Sequence, residues 1–215
     1  MEFLTFILKT IRNPDELIKL SGYPLLVLML IIFAETGAMV FFLPGDSLLV
    51  TAGLYAARGT TLNIWHLNLL LTPMAILGDA TSYLIGKRLG PALFNKPRSR
   101  FFNPEHVRTA HAFYERHGGK AIILARFMPI LRTFVPVVAG VAQMTYRSFA
   151  TFNVIGGAAW VLSMTLIGYF LGTLVPGIER HIEKIIVLIV FLSILPGLIA
   201  ALRVRYGRKE GGTAA

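Results

Sequence analysis

The sequence contains no cysteine, and only 15% of its 215 residues are charged. The absence of cysteine excludes a small fold held together by disulfides. A soluble domain of this size has roughly a quarter of its residues charged, so this chain has too few charges to cover its own surface. Because 55% of the residues are hydrophobic, the sequence predicts an integral membrane protein.

Acidic residues are also scarce, since 11 Asp and Glu stand against 21 Lys and Arg, for a formal charge of +10. In a soluble protein this excess would suggest a nucleic-acid partner, which is not expected here. In a membrane protein, Lys and Arg set the orientation. The bases concentrate between Lys87 and Lys120 and after Leu202. By the positive-inside rule, this central loop and the C-terminus are cytoplasmic, and the N-terminus faces outward.

Three stretches are long and apolar enough to form spanning helices, each of which needs about 20 residues. They are predicted at 64–88, 149–174 and 183–203. The remaining polar parts are predicted to be an amphipathic N-terminal segment at 1–22, an amphipathic cytoplasmic helix at 101–118 and a cytoplasmic tail at 204–215.

Two further apolar stretches, 23–57 and 120–144, do not fit a single straight helix. The breaks are Pro44 and Gly45 in the first, and Pro129 and Pro136 in the second. A proline removes a backbone hydrogen bond from a helix, and broken backbone inside the membrane must be covered by protein or by a water-filled cavity. Both stretches are therefore predicted to be re-entrant hairpins, with kinked spanning helices as the alternative.

A short internal repeat links the two hairpins. Residues 84–90 match residues 166–172 at five of seven positions, and 50–53 resemble 137–140. These matches predict an all-α polytopic membrane protein with two inverted repeats, each a re-entrant hairpin plus a transmembrane helix, and a further C-terminal transmembrane helix. Inverted repeats of broken helices are typical of transporters. The repeats also contain Gly-xxx-Gly pairs, which favour ordinary helix packing and leave a homo-oligomer open.

Five charged residues lie inside the apolar stretches: Glu35, Asp46, Asp79, Arg126 and Arg132. A charge at the membrane centre costs about 2.5–3.5 kcal/mol, so acids and arginines are expected to compensate one another around a hydrated cavity. The planar donors of arginine suit phosphate, and partly desolvated carboxylates can take up protons. This set predicts a phosphorylated substrate exchanged against protons. A lipid headgroup suits such a site, because its tails can stay in the bilayer while the head crosses the cavity.

Simpler roles compete for three of these charges. Asp46 could cap the helix that begins at Ser47. Asp79 shares a helix face with Tyr83 and Lys87, which favours a structural polar stripe at least as much as a site. Arg126 is close enough to the loop to snorkel toward the cytoplasmic interface.

Glu35 and Arg132 have no such explanation and are the strongest candidates. No cofactor or metal is expected, because the loop histidines lack the spacing of a helical metal pair. No metalloprotease, P-loop or nucleophile-elbow motif nominates an enzyme.

Three ordered motifs surround these charges. They are Glu35 with Leu43-Pro44-Gly45-Asp46, then Gly78-Asp79 with Tyr83 and Gly86-Lys87, then Ala125-Arg126-Phe127-Met128-Pro129 with Arg132-Thr133, Pro136 and Ala139-Gly140. Together they resemble the DedA family of bacterial inner-membrane proteins, which is related to the VTT-domain scramblases. The resemblance covers residues 25 to 175, with Phe42 standing where a second proline is common in the family.

The resemblance implies two opposed hairpins and movement of lipids across the bilayer, driven by the proton motive force. Undecaprenyl phosphate and phosphatidylethanolamine are the implied substrates. It implies that Glu35, Asp46, Arg126 and Arg132 are required for function. Together with the chemistry of the charges, this predicts proton coupling by Glu35 and Asp46 and phosphate binding by Arg126, Arg132 and Thr133. Asp79, Tyr83 and Lys87 are supporting candidates. The alternatives are a proton-coupled exchanger of small ions or drugs, a membrane lipid-phosphate hydrolase and a non-transporting assembly factor.

Overall fold

The computed structural model describes residues 23–38, 45–60, 62–94 and 119–175. Four predicted segments lie outside the described residues, as does the predicted break at Pro44; the segments are 1–22, 101–118, 183–203 and 204–215. Every regular element within the described ranges is an α-helix. The helices are α1 (Pro24–Gly37), α2 (Gly45–Ala57), α3 (Ile64–Phe94), α4 (Lys120–Arg126), α5 (Pro129–Val141) and α6 (Tyr146–Leu174).

Two of these helices, α3 and α6, are long and apolar enough to cross a membrane. Their apolar parts, Ile64–Gly90 and Tyr146–Leu174, overlap the spans predicted from the sequence. The helices α1, α2 and α5 have 14, 13 and 13 residues. At 1.5 Å per residue each is about 20 Å long, which is short of the roughly 30 Å hydrocarbon core.

The break between α4 and α5 follows from Pro129. A residue that precedes proline is pushed out of the helical region, and Met128 is extended, with φ −115° and ψ 110°. Pro129 itself is in the first turn of α5. The N–H groups of a first turn have no partner within the helix, so the missing N–H of proline costs no hydrogen bond there. The predicted break at Pro136 is wrong, because α5 continues through it. A proline in this position removes its own N–H bond, and packing of α5 on α3 holds the helix together.

The two long helices form the centre of the packing. They contact each other, α1 and α5 pack against α3, and α2 and α4 pack against α6. The second arm of the first predicted hairpin, α2, therefore packs on α6, the long helix that follows the second hairpin. Likewise, the second arm of the second hairpin, α5, packs on α3, the long helix that follows the first.

Two apolar cores lie among these helices. The first lies between α1, α2, α3 and α6, and it includes Ile32, Leu71 and Trp160. The second lies where α3, α5 and α6 meet, around Tyr83 and Phe149. Each predicted hairpin thus contributes side chains to a separate apolar core.

Two helix crossings depend on glycine, through four close contacts. They are Gly53 on Thr165, Gly168 on Val50, Gly140 on Tyr83 and Gly86 on Val137, and a methyl group on each glycine would fall 1.9–2.1 Å from the partner's carbonyl oxygen. The first two contacts join α2 to α6, and the last two join α5 to α3. These glycines come from the matched sequence segments, so the Gly-xxx-Gly pairs take part in packing within the chain, as expected.

The substitution Gly86→Ala is expected to destabilise the protein, because its methyl group would collide with rigid backbone 2.1 Å away. Gly90→Ala is the matched control on the same face of α3, since there the nearest atom is 3.2 Å away. We expect the melting temperature in detergent to fall for Gly86→Ala and to change little for Gly90→Ala, where the better helix propensity of alanine contributes up to about 1 kcal/mol. Equal melting temperatures for the two variants would contradict the close crossing.

The C-terminal end of α1 is attached to the middle of α3. The Ser82 hydroxyl donates to the carbonyl oxygens of Thr36 at 2.7 Å and Gly37 at 3.1 Å. These are carbonyls at a helix end, which have no partner within their own helix. A methyl group on Gly37 would lie 3.2 Å from the Gly78 Cα, so the two backbones are close. The end of α1 is thereby fixed halfway along a helix long enough to span.

Apolar side chains are exposed on α1 and α5, whereas the acids of the described residues are buried. Exposed apolar side chains recur at helical spacing on α1 and α5; they are Leu26, Leu30 and Phe33, and Leu131, Phe134 and Val138. The three acids among the described residues, Glu35, Asp46 and Asp79, are all buried. This distribution is the one expected of a protein surrounded by lipid.

Candidate functional site

Arg132 is the centre of the first cluster. Its side chain is only 7% exposed, and it comes from the first turns of α5. Its Nη1 donates to Asp46 Oδ1 at 2.5 Å, and its Nη2 donates to Glu35 Oε1. Glu35 lies near the end of α1 and Asp46 near the start of α2, so three short helices bring these charges together. The two strongest candidates from the sequence are thus direct partners.

Trp160 of α6 completes this cluster, and sequence reasoning missed it. Its indole N–H donates to Asp46 Oδ1 at 2.8 Å, and the Arg132 Cζ lies 5.0 Å from its ring centroid. In the sequence, this tryptophan is one more large apolar residue within a predicted span. The available signal is that an indole N–H inside a membrane needs an acceptor.

Gly45 makes room for the Glu35 carboxylate. A methyl group at Gly45 would lie 1.7 Å from Glu35 Oε2, so any side chain there would displace the carboxylate. The expected cap role of Asp46 requires a correction, because α2 begins at Gly45 and not at Ser47. Asp46 therefore lies within the first turn, where the helix dipole favours an acid, and its Oδ1 accepts from Arg132 and Trp160.

Arg126 forms the second cluster. It ends α4, is 4% exposed, and donates through Nη2 to Asp79 Oδ2 and to Asn153 Oδ1. The Asn153 amide donates in turn to the Ile76 carbonyl at 3.0 Å. The snorkelling alternative is therefore wrong, because a snorkelling arginine would expose its guanidinium. Asn153 is the second residue that the sequence did not reveal, since a single asparagine in a predicted span has no pattern.

Tyr83 and Lys87 do not join either cluster among the contacts described. The Tyr83 hydroxyl donates to the Met144 carbonyl, and its ring stacks on Phe149 at 4.5 Å. Lys87 is exposed. Of the two alternatives for Asp79, the contacts described favour the site over a stripe along α3, because Asp79 pairs with Arg126 of α4.

The two remaining candidates of the second hairpin lie in α5. Thr133 follows Arg132 in the sequence and is buried, and Pro136 is buried one turn further along the helix. Thr133 is therefore close enough to the first cluster along the chain to remain a candidate for phosphate binding.

Tyr83→Phe tests whether this tyrosine has a structural role. The variant keeps the stacked ring and loses one hydrogen bond, which contributes about 1 kcal/mol. We expect a melting temperature a few degrees lower and lipid transport, as proposed below, within about twofold of the unchanged protein. A stable variant that had lost transport would instead place Tyr83 in the functional site.

Three polar atoms in these clusters are buried without a hydrogen-bond partner among the described residues. They are Glu35 Oε2, Arg126 Nε and Arg132 Nε. Buried polar atoms nearly always have partners, so such atoms mark a place where a further polar group could bind.

With its carboxylates ionised, the first cluster has a net charge of −1, and the second is neutral. No group of three metal-binding side chains occurs in the described part of the chain.

Comparison with known proteins identifies the family. Residues 43–170 match the VTT domain. The chain is 51% identical to an uncharacterized membrane protein of Mycobacterium leprae, over 80% of this chain and 77% of that protein. It is 46% identical to the protein DedA of Escherichia coli K12, over 94% of this chain and 95% of DedA.

A third relative, the inner membrane protein YqjA of Escherichia coli K12, is 32% identical over 98% of this chain and 99% of YqjA. No solved structure gives a significant match. The relatives support a location in the bacterial inner membrane, and the resemblance seen in the motifs is confirmed. The chain therefore belongs to the DedA family of VTT-domain membrane proteins.

Proposed function

We propose that this protein is a transporter, not an enzyme, and that it moves a phosphate-bearing lipid across the inner membrane. The observation that supports this most directly is the pair of buried arginines inside an apolar helical body, Arg132 paired with two carboxylates and Arg126 with one. Arginine binds phosphate through its planar fork of donors. Undecaprenyl phosphate and phosphatidylethanolamine are the proposed substrates.

A lipid fits this site better than a soluble ion for a physical reason. The headgroup needs a polar path, whereas the acyl or prenyl tails can remain in the bilayer. The exposed apolar faces of α1 and α5 would allow tails to lie alongside the protein. Arg132 and Arg126 would bind the phosphate, with Thr133 as a further contact.

Proton coupling is proposed from charge and from competition for the donors of Arg132. Arg132 donates through one N–H of each Nη to Asp46 and Glu35, and its Nε has no partner among the described residues, so a phosphate can bind beside the carboxylates or replace one of them. The cluster already has a net charge of −1, and the arriving phosphate adds to it. Protonation of Glu35 or Asp46 would release a donor and cancel a charge. Phosphate and proton binding would then favour each other, as linkage requires.

We further propose two inverted repeats, α1–α3 and α4–α6, with α1–α2 and α4–α5 as re-entrant hairpins. The glycine crossings support this arrangement. Val50 and Gly53 of α2 contact Gly168 and Thr165 of α6. In the same way, Val137 and Gly140 of α5, 87 residues later, contact Gly86 and Tyr83 of α3, 82 residues earlier. The short lengths of α1, α2 and α5 are also those of hairpin arms rather than spans.

The proposed orientation rests on exposed bases near one end of the bundle. They are Lys87, Arg88, Lys120 and Arg147. The positive-inside rule makes this end cytoplasmic. We propose, in agreement, an outward N-terminus and a cytoplasmic C-terminus. That the protein can form a homo-oligomer is a separate prediction.

The test is transport of labelled lipid phosphate in proteoliposomes, with and without a pH gradient. Glu35→Gln keeps the shape and one acceptor for Arg132 but removes the charge and the proton. We expect the unchanged protein to transport faster when a gradient is imposed, and Glu35→Gln to be slower and unresponsive to it. Arg88→Gln, on the exposed surface, is the control and should behave like the unchanged protein.

Three other results would contradict the proposal. Solute flux that follows pH without lipid movement would favour an exchanger of small ions or drugs. Release of inorganic phosphate from the lipid would favour a hydrolase. An absence of any flux from correctly folded protein would favour an assembly factor.

A further inference from the structure

Trp160 contacts the first cluster in two independent ways. Its N–H donates to Asp46 Oδ1, the same oxygen that accepts from Arg132 Nη1. The Arg132 guanidinium lies over the face of the Trp160 ring, with Cζ 5.0 Å from the ring centroid. Trp160 is 1% exposed, so both contacts are made away from solvent. Desolvation strengthens the attraction between a cation and an aromatic ring.

The two kinds of contact hold arginine by different forces. Glu35 and Asp46 accept hydrogen bonds in the plane of the guanidinium, where its N–H groups point. The face of the tryptophan ring attracts the positive charge as a whole and does not need a particular N–H. An anion that replaced a carboxylate would therefore compete for in-plane donors and leave the ring contact intact.

We infer that Trp160 is a positioning residue, which holds Arg132 in place while its in-plane partners change from carboxylates to the phosphate of the substrate. It does so through its ring face for Arg132 and its N–H for Asp46. This inference rests on the proposed function, because it assigns a role within the same phosphate site. Without Trp160, Arg132 would lose a contact that orients it. Asp46 would lose the N–H that competes with Arg132 for its Oδ1. Both losses weaken phosphate binding.

Fluorescence provides a test that does not depend on transport. The chain has two tryptophans, and Trp65 is 76% exposed on α3. Trp65→Phe leaves Trp160 as the only tryptophan, and it should transport normally. In this variant, phosphatidate in detergent micelles should change the emission of Trp160 in a saturable way. Diacylglycerol with the same chains should not change it. Inorganic phosphate is a separate titration, which distinguishes a lipid headgroup from free phosphate.

Kinetics provide the second test. Trp160→Phe retains an aromatic face and loses the N–H, so we expect the KM for lipid phosphate to rise about tenfold and the maximal rate to stay within about twofold. Trp160→Leu loses both contacts, and its KM should rise further. If Trp160→Leu fails to fold, Trp160→Phe and the emission titration still decide the question.

The outcomes separate the two proposals. Emission that responds to phosphatidate in a protein that moves no lipid would support the role of Trp160 and contradict transport. Normal transport by Trp160→Phe with an unchanged KM would overturn the inference and leave transport standing. Emission that stays constant at lipid concentrations that saturate transport would overturn it as well.

Discussion

Replacing Arg132 by alanine is expected to abolish transport and to lower the free energy of unfolding by about 3–5 kcal/mol. The change removes the phosphate ligand. It also leaves Glu35 and Asp46 buried together without their shared cation. Transport is measured in proteoliposomes, and stability is measured by thermal unfolding in detergent. Arg147→Ala, which removes an exposed arginine, is the matched control and should change neither.

A triple variant separates the two effects. Arg132→Met combined with Glu35→Gln and Asp46→Asn contains no buried charge in this cluster. Replacing a complete buried ion pair by apolar residues of similar volume is often neutral for stability. The amides of Gln and Asn stay polar, but the Asn oxygen can still accept from Trp160, so we expect a large part of the melting temperature to return. Transport should remain absent, because nothing in the cluster would bind phosphate. Transport by the triple variant would show that the charges only stabilise the fold.

The second large effect is expected at the pair of Asp79 and Arg126. Asp79→Leu leaves the buried Arg126 with the neutral Asn153 as its described side-chain partner and should lower the free energy of unfolding by about 3–5 kcal/mol. The double variant Asp79→Leu/Arg126→Leu removes both charges and should recover most of this stability. If Arg126 binds phosphate as proposed, the double variant should still transport at least about tenfold more slowly, equivalent to roughly 1.4 kcal/mol.

Stability and transport must be compared on the same samples for this pair. Recovery of both by the double variant would contradict a role for Arg126 in binding phosphate and make the pair structural. Asp79→Asn is a milder companion, because its side-chain oxygen can still accept from Arg126. It should fall between the unchanged protein and Asp79→Leu in melting temperature.

The charged members of the site could be predicted from the sequence because a charge in an apolar stretch is costly and therefore conspicuous. Which acid pairs with which arginine could not be predicted, since the partners are 47 to 97 residues apart in the chain. For Asp79, a stripe along its own helix was the alternative to a site, because only neighbours on one helix are visible in a sequence. Trp160 and Asn153 were missed for the same reason, as their roles depend on packing between helices.

Helix ends were predicted less well than helix existence. The break before Pro129 was foreseen because proline constrains the preceding residue, whereas Pro136 is accommodated inside α5. At the start of α2, Gly45 lies against the Glu35 carboxylate, which comes from another helix. Contacts of this kind cannot be inferred from local propensity.

The three ion pairs among the described residues all connect an earlier part of the chain to a later part. Each joins an acid from residues 23–94 to an arginine from residues 119–175. Alone, the first part would place three acids in the membrane, and the second would place two arginines there, at about 2.5–3.5 kcal/mol for each central charge. Neither part is therefore a self-sufficient membrane domain, and two separately expressed fragments would have to insert as mutual counter-ions.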